Sequence, residues 1–164
     1  MTGISLQCRE CKKEYESTFK YICEDCFGPL DVKYEFPNIS KNMFVGREHT
    51  YWRYFELLPI QNKTNIVSIN AGMTPLVKAD KLGEKLGLKK LYIKNDSVNP
   101  TFSFKDRPAG IAISKAKEFG MSAVGCASTG NLASATAAHA AKGDRKSTRL
   151  NSSHIPLSRM PSSA

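Results

Sequence analysis

The 164 residues, 41% of them hydrophobic, suffice for one ordinary domain. The formal charge of +9 drops to +6 once residues 144–164 are set aside, because Arg145, Lys146, Arg149 and Arg159 there outweigh Asp144; so mild a basic balance does not demand a nucleic-acid partner. No stretch is long and apolar enough to span a bilayer, and Met1-Thr2-Gly3-Ile4-Ser5 lacks the regions of a signal peptide, so a cytoplasmic enzyme with no membrane partner is expected.

At the front, Cys8 and Cys11 form one Cys-x₂-Cys pair and Cys23 and Cys26 another, with eleven residues between them. A pair in a short turn can aim both thiolates at one tetrahedral centre. Zinc has no redox chemistry, so a closed four-sulfur site is structural. The alternatives are two disulfides, disfavoured in a cytoplasmic chain, or reduced core cysteines. Residues 1–35 are therefore expected to form a small zinc ribbon of short strands, with Cys8, Cys11, Cys23 and Cys26 as zinc ligands and Lys12 and Lys13 offsetting their negative charge. A zinc-ribbon nucleic-acid binder is a rival class, since Lys12, Lys13, Tyr15, Phe19, Lys20 and Tyr21 surround the knuckle.

Residues 36–48, with Pro37, Asn38 and Gly46, read as a linker. Residues 51–58 read as a short aromatic helix stopped at Pro59, with Trp52, Tyr54 and Phe55 as core or interface anchors. Strands are expected at 74–77, 90–95 and 123–127, the last a buried strand carrying Cys126 as a small core residue. Helices are expected at 79–86, ended by Gly87, at 105–119, ended by Gly120, and at 131–141. Strands alternating with helices predict a parallel α/β sheet over residues 36–143. His49 and His139 have no cysteine or histidine partner at ligand spacing and are read as structural.

Lys105 lies in Asn99-Pro100-Thr101-Phe102-Ser103-Phe104-Lys105-Asp106-Arg107, where an extended segment meets a helix. A lysine amine can form a Schiff base with an aldehyde when burial or a neighbouring cation lowers its pKa; a solvated lysine at a helix start is the plainer reading. Downstream, Ser128-Thr129-Gly130-Asn131 enters an Ala-rich helix and can offer hydroxyls and free N–H groups to an anion. The same turn can serve as a plain N-cap.

Three runs occur in order: Gly72-Met73-Thr74-Pro75-Leu76, then residues 95–107, then Ser128-Thr129-Gly130-Asn131. Together they resemble the tryptophan-synthase-β-like (fold-type II) family of pyridoxal-phosphate enzymes, and within it the threonine synthases. Some of these carry an N-terminal zinc knuckle like the one here. The resemblance implies that Lys105 is the Schiff-base lysine and proton shuttle. It implies that Phe104 packs near the cofactor ring, that Asn131 bonds the cofactor's phenolic oxygen, and that Ser128, Thr129 and Asn131 grip the substrate carboxylate. Phe102 and Met73 depart from the family, which has small residues at the first position and often glycine at the second. The implied reaction takes a small amino-acid phosphate, O-phosphohomoserine, and water to threonine and phosphate. A cysteate synthase or a threonine/serine dehydratase is the nearest rival. The implied parent is a two-domain enzyme of over twice this length, open to homo-oligomer formation. Its further half would carry the glycine-rich loop for the cofactor phosphate and the group facing the pyridine nitrogen.

Residues 144–154 back-translate into a common sequencing-library adapter, and residues 158–164 into its downstream part in a shifted frame. Residues 144–164 are therefore expected to be an artefactual, disordered tail that packs against nothing, with the biological sequence ending near Lys142 or Gly143.

Overall fold

The computed structural model describes residues 3–36, 38–128 and 130–149. The expectation for Thr129, and those for the tail beyond residue 149, lie outside the described residues.

The front forms a three-stranded antiparallel sheet in the order β2-β1-β3, from β1 (Gly3–Cys8), β2 (Glu14–Glu16) and β3 (Leu30–Glu35). Alternate residues of a strand share a face, and in β1 Leu6 and Cys8 are the buried ones. Leu6 pairs with Tyr15 on one side and Val32 on the other. This sheet leans on the rest of the chain through residues 17–20: Lys115 Nζ donates to Ser17 Oγ at 3.3 Å, and Phe19 meets Phe119 edge to face at 6.1 Å.

The linker contains one 3₁₀ turn, Lys41–Phe44. The expected helix at 51–58 is instead a 3₁₀ segment, Tyr51–Leu57, broken at Tyr54. Tyr51 and Trp52 are buried in a cluster with Ile60 and Ala71, whereas Tyr54 stays 36% exposed and is less an anchor than expected. A second cluster joins Val67, Ile113 and Ala140.

β4 (Leu76–Lys78), α1 (Asp80–Leu86), β5 (Tyr92–Lys94), α2 (Asp106–Glu118), β6 (Ala123–Cys126), α3 (Asn131–Lys142) and β7 (Lys146–Arg149) follow. Gly87 ends α1 at φ +69°, the left-handed conformation that glycine adopts without penalty. Cys126 closes β6 and is buried as expected, but the strand itself is not: Ala123 and Gly125 are exposed and Val124 is half-buried.

The parallel expectation holds for one strand pair among the described residues. β6 and β7 pair in parallel, with α3 as the crossover. β4 and β5 pair antiparallel, Val77 opposite Ile93. Parallel pairing needs a crossover of a dozen or more residues that carries the chain back along the sheet. Here the Ala79 N–H donates to the Leu91 carbonyl at 2.9 Å, so α1 is an excursion from a hairpin instead.

The unpacked tail is corrected for residues 146–149, which form β7. Gly143 and Asp144 (φ +52°) turn the chain at the end of α3, and the Arg145 N–H donates to the Ala140 carbonyl at 2.9 Å. The free edge of β6 presents unpaired backbone groups. Ladder hydrogen bonds use only backbone, so an extended segment of almost any composition can occupy that edge.

No helix among the described residues is long and apolar enough to cross a membrane.

Candidate functional site

The four knuckle cysteines converge. Their sulfurs all lie within 4.8 Å of one another, with Cys8 to Cys26 at 3.4 Å and Cys11 to Cys23 at 3.5 Å. A disulfide needs sulfurs about 2.05 Å apart, and all four are free thiols. A tetrahedral zinc with bonds near 2.3 Å would set sulfurs about 3.8 Å apart, so the cluster fits that ion. The two turns repeat one geometry: the Lys12 N–H bonds the Cys8 carbonyl at 3.2 Å and the Phe27 N–H bonds the Cys23 carbonyl at 3.1 Å. Both closing residues are left-handed, at φ +65° and +56°. The Tyr15 hydroxyl lies 3.1 Å from Cys23 Sγ and, with burial opposing, helps bring that thiol down to about 6, whereas at Cys11 a hydrogen bond from the Lys13 backbone is outweighed by the other thiols, which push that thiol up to about 12.

The lysine loop is built on polar anchors that sequence reasoning missed. Arg107 holds the Asp96 carboxylate with two hydrogen bonds, 2.7 and 2.9 Å, and Thr74 Oγ1 donates to the same carboxylate at 2.6 Å. Arg107, then Thr74, keep Asp96 below the usual carboxylate range. The Lys94 amine bonds the Thr74 carbonyl. Asn99, 2% exposed, accepts the Gly72 N–H at 2.9 Å and donates to the Asp96 carbonyl at 2.9 Å. These bonds join the Gly72–Leu76 run to the lysine run, two of the three motifs. A signal was present in the sequence: an acid and an arginine eleven residues apart within one motif. Replacing Arg107 with methionine, which keeps the stem and removes the fork, should destabilise the fold by about 1–3 kcal/mol, checked by denaturant titration against wild type.

Asp106 is fully buried and caps the loop: its carboxylate accepts the Thr101 N–H at 2.8 Å and the Thr101 hydroxyl at 2.9 Å. Phe102 and Met73, the two departures noted in the sequence, are left-handed at φ +59° and +49°. A bulky side chain in that conformation is strained, which is the physical sense of small residues or glycine there.

Lys105 is the half-buried residue before α2, with no side chain capping that helix. Its amine lies 4.4 Å from the Phe104 ring centroid, and Phe104 is 54% exposed. Ser103 Oγ accepts the Lys105 N–H at 3.2 Å. Ser128 Oγ accepts the Gly130 N–H at 3.4 Å, and Asn131 is the exposed first residue of α3. Among the described residues no side chain caps the first turn of α3, and Ser128 serves the Gly130 N–H just ahead of it. α2 and α3 pack together, but no hydrogen bond joins Ser128 or Asn131 to Lys105 among the described residues.

His139, fully buried on α3, faces Asp106 with Nε2 3.6 Å from Oδ1. Burial pushes its pKa below the ordinary value and outweighs the pull of Asp106 the other way. The unfolded chain therefore gains a proton near pH 6.5 that the folded chain resists. This stabilisation is full above that pH and is lost as pH falls through the folded value. His139→Gln should flatten the fall in stability between pH 7.5 and 5.5 by up to about 1.4 kcal/mol, read from paired denaturation curves at both pH values.

A sequence model of the family described as pyridoxal-phosphate-dependent enzyme matches residues 67–158, more than half of the chain. The chain is 44% identical to the threonine synthase of Methanosarcina acetivorans over 140 residues, which is 84% of this chain and 34% of that protein. It is 41% identical to the threonine synthase of Methanocaldococcus jannaschii over 145 residues, 85% of this chain and 36% of that protein. With the threonine synthase of a Synechocystis species it shares 44% identity over 105 residues, 63% of this chain and 27% of that protein. The chain thus spans about a third of the length of these curated relatives.

Proposed function

The chain belongs to the family of pyridoxal-phosphate-dependent enzymes, and on that premise we propose that it is the N-terminal part of a threonine synthase, which converts O-phosphohomoserine and water to threonine and phosphate. The single observation that carries this reading is the similarity to archaeal threonine synthases across 84% or more of the chain. The bound cofactor supplies an electron sink for carbanion chemistry. Lys105 would hold the cofactor through its amine and would serve as the base that moves protons at the substrate carbons. Phe104 would pack beside the cofactor and Asn131 would offer it a hydrogen bond, while Ser128, Thr129 and Asn131 would hold the substrate carboxylate. Asp96, Arg107 and Thr74 keep the Lys105 loop in place.

The same proposal makes residues 1–35 a zinc ribbon on Cys8, Cys11, Cys23 and Cys26, supported by the sulfur cluster and the paired turn geometry. Residues 144–164 are attributed to adapter-derived sequence on the codon match, although the family match runs on to residue 158. Recovery of the same 21 residues from source genomic DNA would overturn that attribution.

The test is turnover. A full-length parent should release phosphate from O-phosphohomoserine with matching formation of threonine; threonine-free deamination would favour a dehydratase instead. The 164-residue chain alone should show none, because it spans only about a third of the length of the relatives it matches and the proposal assigns the cradle of the cofactor phosphate to a further segment. Exposed Leu76, Val77, Tyr92 and Ile93 on β4 and β5 are the faces such a segment would cover.

A further inference from the structure

Among the described residues six buried side-chain polar atoms lack partners, and three of them, Tyr51 Oη, His139 Nδ1 and His139 Nε2, belong to two side chains that meet at Gly110. They gather at one place. A Cβ built on Gly110 would lie 2.2 Å from Tyr51 Oη and 3.2 Å from His139 Nδ1, so only glycine lets the two side chains share that space. On the far side of the imidazole, Nε2 faces Asp106 Oδ1 at 3.6 Å. Asp106 and His139 are fully buried and Tyr51 is 8% exposed, so water does not solvate them freely. Each buried polar atom left unpaired costs about 1–3 kcal/mol, and a shift of under an ångström would bring Nε2 within hydrogen-bond range, about 2.9 Å.

One proton arrangement satisfies all three atoms. In it the Tyr51 hydroxyl would donate to His139 Nδ1 and Nε2–H to the Asp106 carboxylate, with the backbone carbonyls of Asp106 and Val67 as the other acceptors beside the imidazole. The carboxylate has lone pairs to spare beyond the two bonds from Thr101. We propose that Tyr51, His139 and Asp106 form a buried hydrogen-bonded relay that positions the Lys105 loop against helix α3. Asp106 is the residue after Lys105, and through Thr101 its carboxylate fixes the loop that precedes the amine. His139 lies on the helix that begins at Asn131. The relay thereby ties the backbone of the two candidate site segments together without touching substrate or cofactor, and its members are positioning residues. Burial supports the neutral, single-donor imidazole the relay needs, with Asp106, Arg107 and the Tyr51 hydroxyl as the titratable and charged groups around it. Burial, then the Asp106 charge, also raise the Tyr51 pKa, which keeps the phenol protonated as a donor.

The purpose assigned to the relay rests on the reading of Lys105 as the cofactor lysine, but its test does not. The Thr101 amide bonds Asp106 directly, so its hydrogen exchange in the cofactor-free 164-residue chain reports the relay. It is measured relative to the Ile113 amide in the middle of α2, in wild type, His139→Gln and His139→Leu. Gln keeps a donor toward Asp106; Leu keeps apolar bulk. The relay predicts relative Thr101 exchange at least about 10-fold faster in His139→Leu and within about 3-fold of wild type in His139→Gln. His139→Leu failing to fold while His139→Gln folds also supports it. Equal exchange in the two variants, or faster exchange in His139→Gln, overturns it and shows His139 to be packing alone. If neither variant folds, Tyr51→Phe decides: Thr101 exchange at least about 3-fold faster supports the relay, and unchanged exchange overturns it. Cofactor trapping at Lys105 is a separate measurement, so the failure of either idea is seen apart from the other.

Discussion

Removing zinc from the ribbon should unfold residues 1–35 while α2 and α3 keep their protection. Among the described residues of that segment, Leu6 is the one aliphatic side chain that is buried, alongside Cys8 and Cys23. So little apolar burial cannot offset the entropy of ordering a module of this size. Zinc in a four-thiolate site contributes about 10–16 kcal/mol of apparent binding energy, against about 5–15 kcal/mol for a whole ordinary domain. Freshly reduced protein should carry about one zinc per chain, and Cys8→Ser should lose most of it. Hydrogen exchange before and after a strong chelator is the check. Metal-free protein with β1–β3 fully protected would contradict the assignment. The Phe19–Phe119 and Ser17–Lys115 contacts should loosen with the ribbon, so the face of α2 that meets it should show a smaller change.

Lys105→Ala in a full-length parent should abolish turnover, by at least about 10³-fold, while costing under about 1 kcal/mol of stability. The two effects separate because the lysine does little for the fold. Among the described residues no side chain caps its helix, and its amine lies over the Phe104 ring with no ion pair or hydrogen bond to it. Arg107→Met should do the reverse in kind, weakening the fold that holds the loop. Denaturation curves and steady-state phosphate release on both variants distinguish a reacting group from a structural one.

Much of the element order could be read from the chain because local signals agree. Gly87 closes α1 where the sequence ends that helix, and the Ala-rich run after Gly130 became α3. The cysteine spacing likewise foretold a single four-sulfur cluster. Pairing direction was not readable, since the Ala79–Leu91 bond that makes β4 and β5 antiparallel is a long-range backbone contact with no side-chain signature. The strand at 146–149 was missed for a similar reason: backbone pairing on the edge of β6 is indifferent to composition.

At the site, the lysine motif and the serine-threonine turn stood out as motifs, but their supports did not. Asp96, Asn99 and Asp106 act through partners up to 27 residues away, and no periodicity reports such pairs. His139 was read as structural for want of a ligand partner at short spacing. Its actual neighbour, Asp106, is 33 residues earlier and meets it only when α2 packs on α3.

The most direct measurement is reductive trapping. A full-length parent is incubated with pyridoxal phosphate, reduced with borohydride, digested and mapped by mass spectrometry. The phosphopyridoxyl group should sit on the peptide containing Lys105, with no other lysine labelled to a comparable extent. Label spread over surface lysines, or concentrated on a lysine other than Lys105, would contradict the assignment of this chain's central residue.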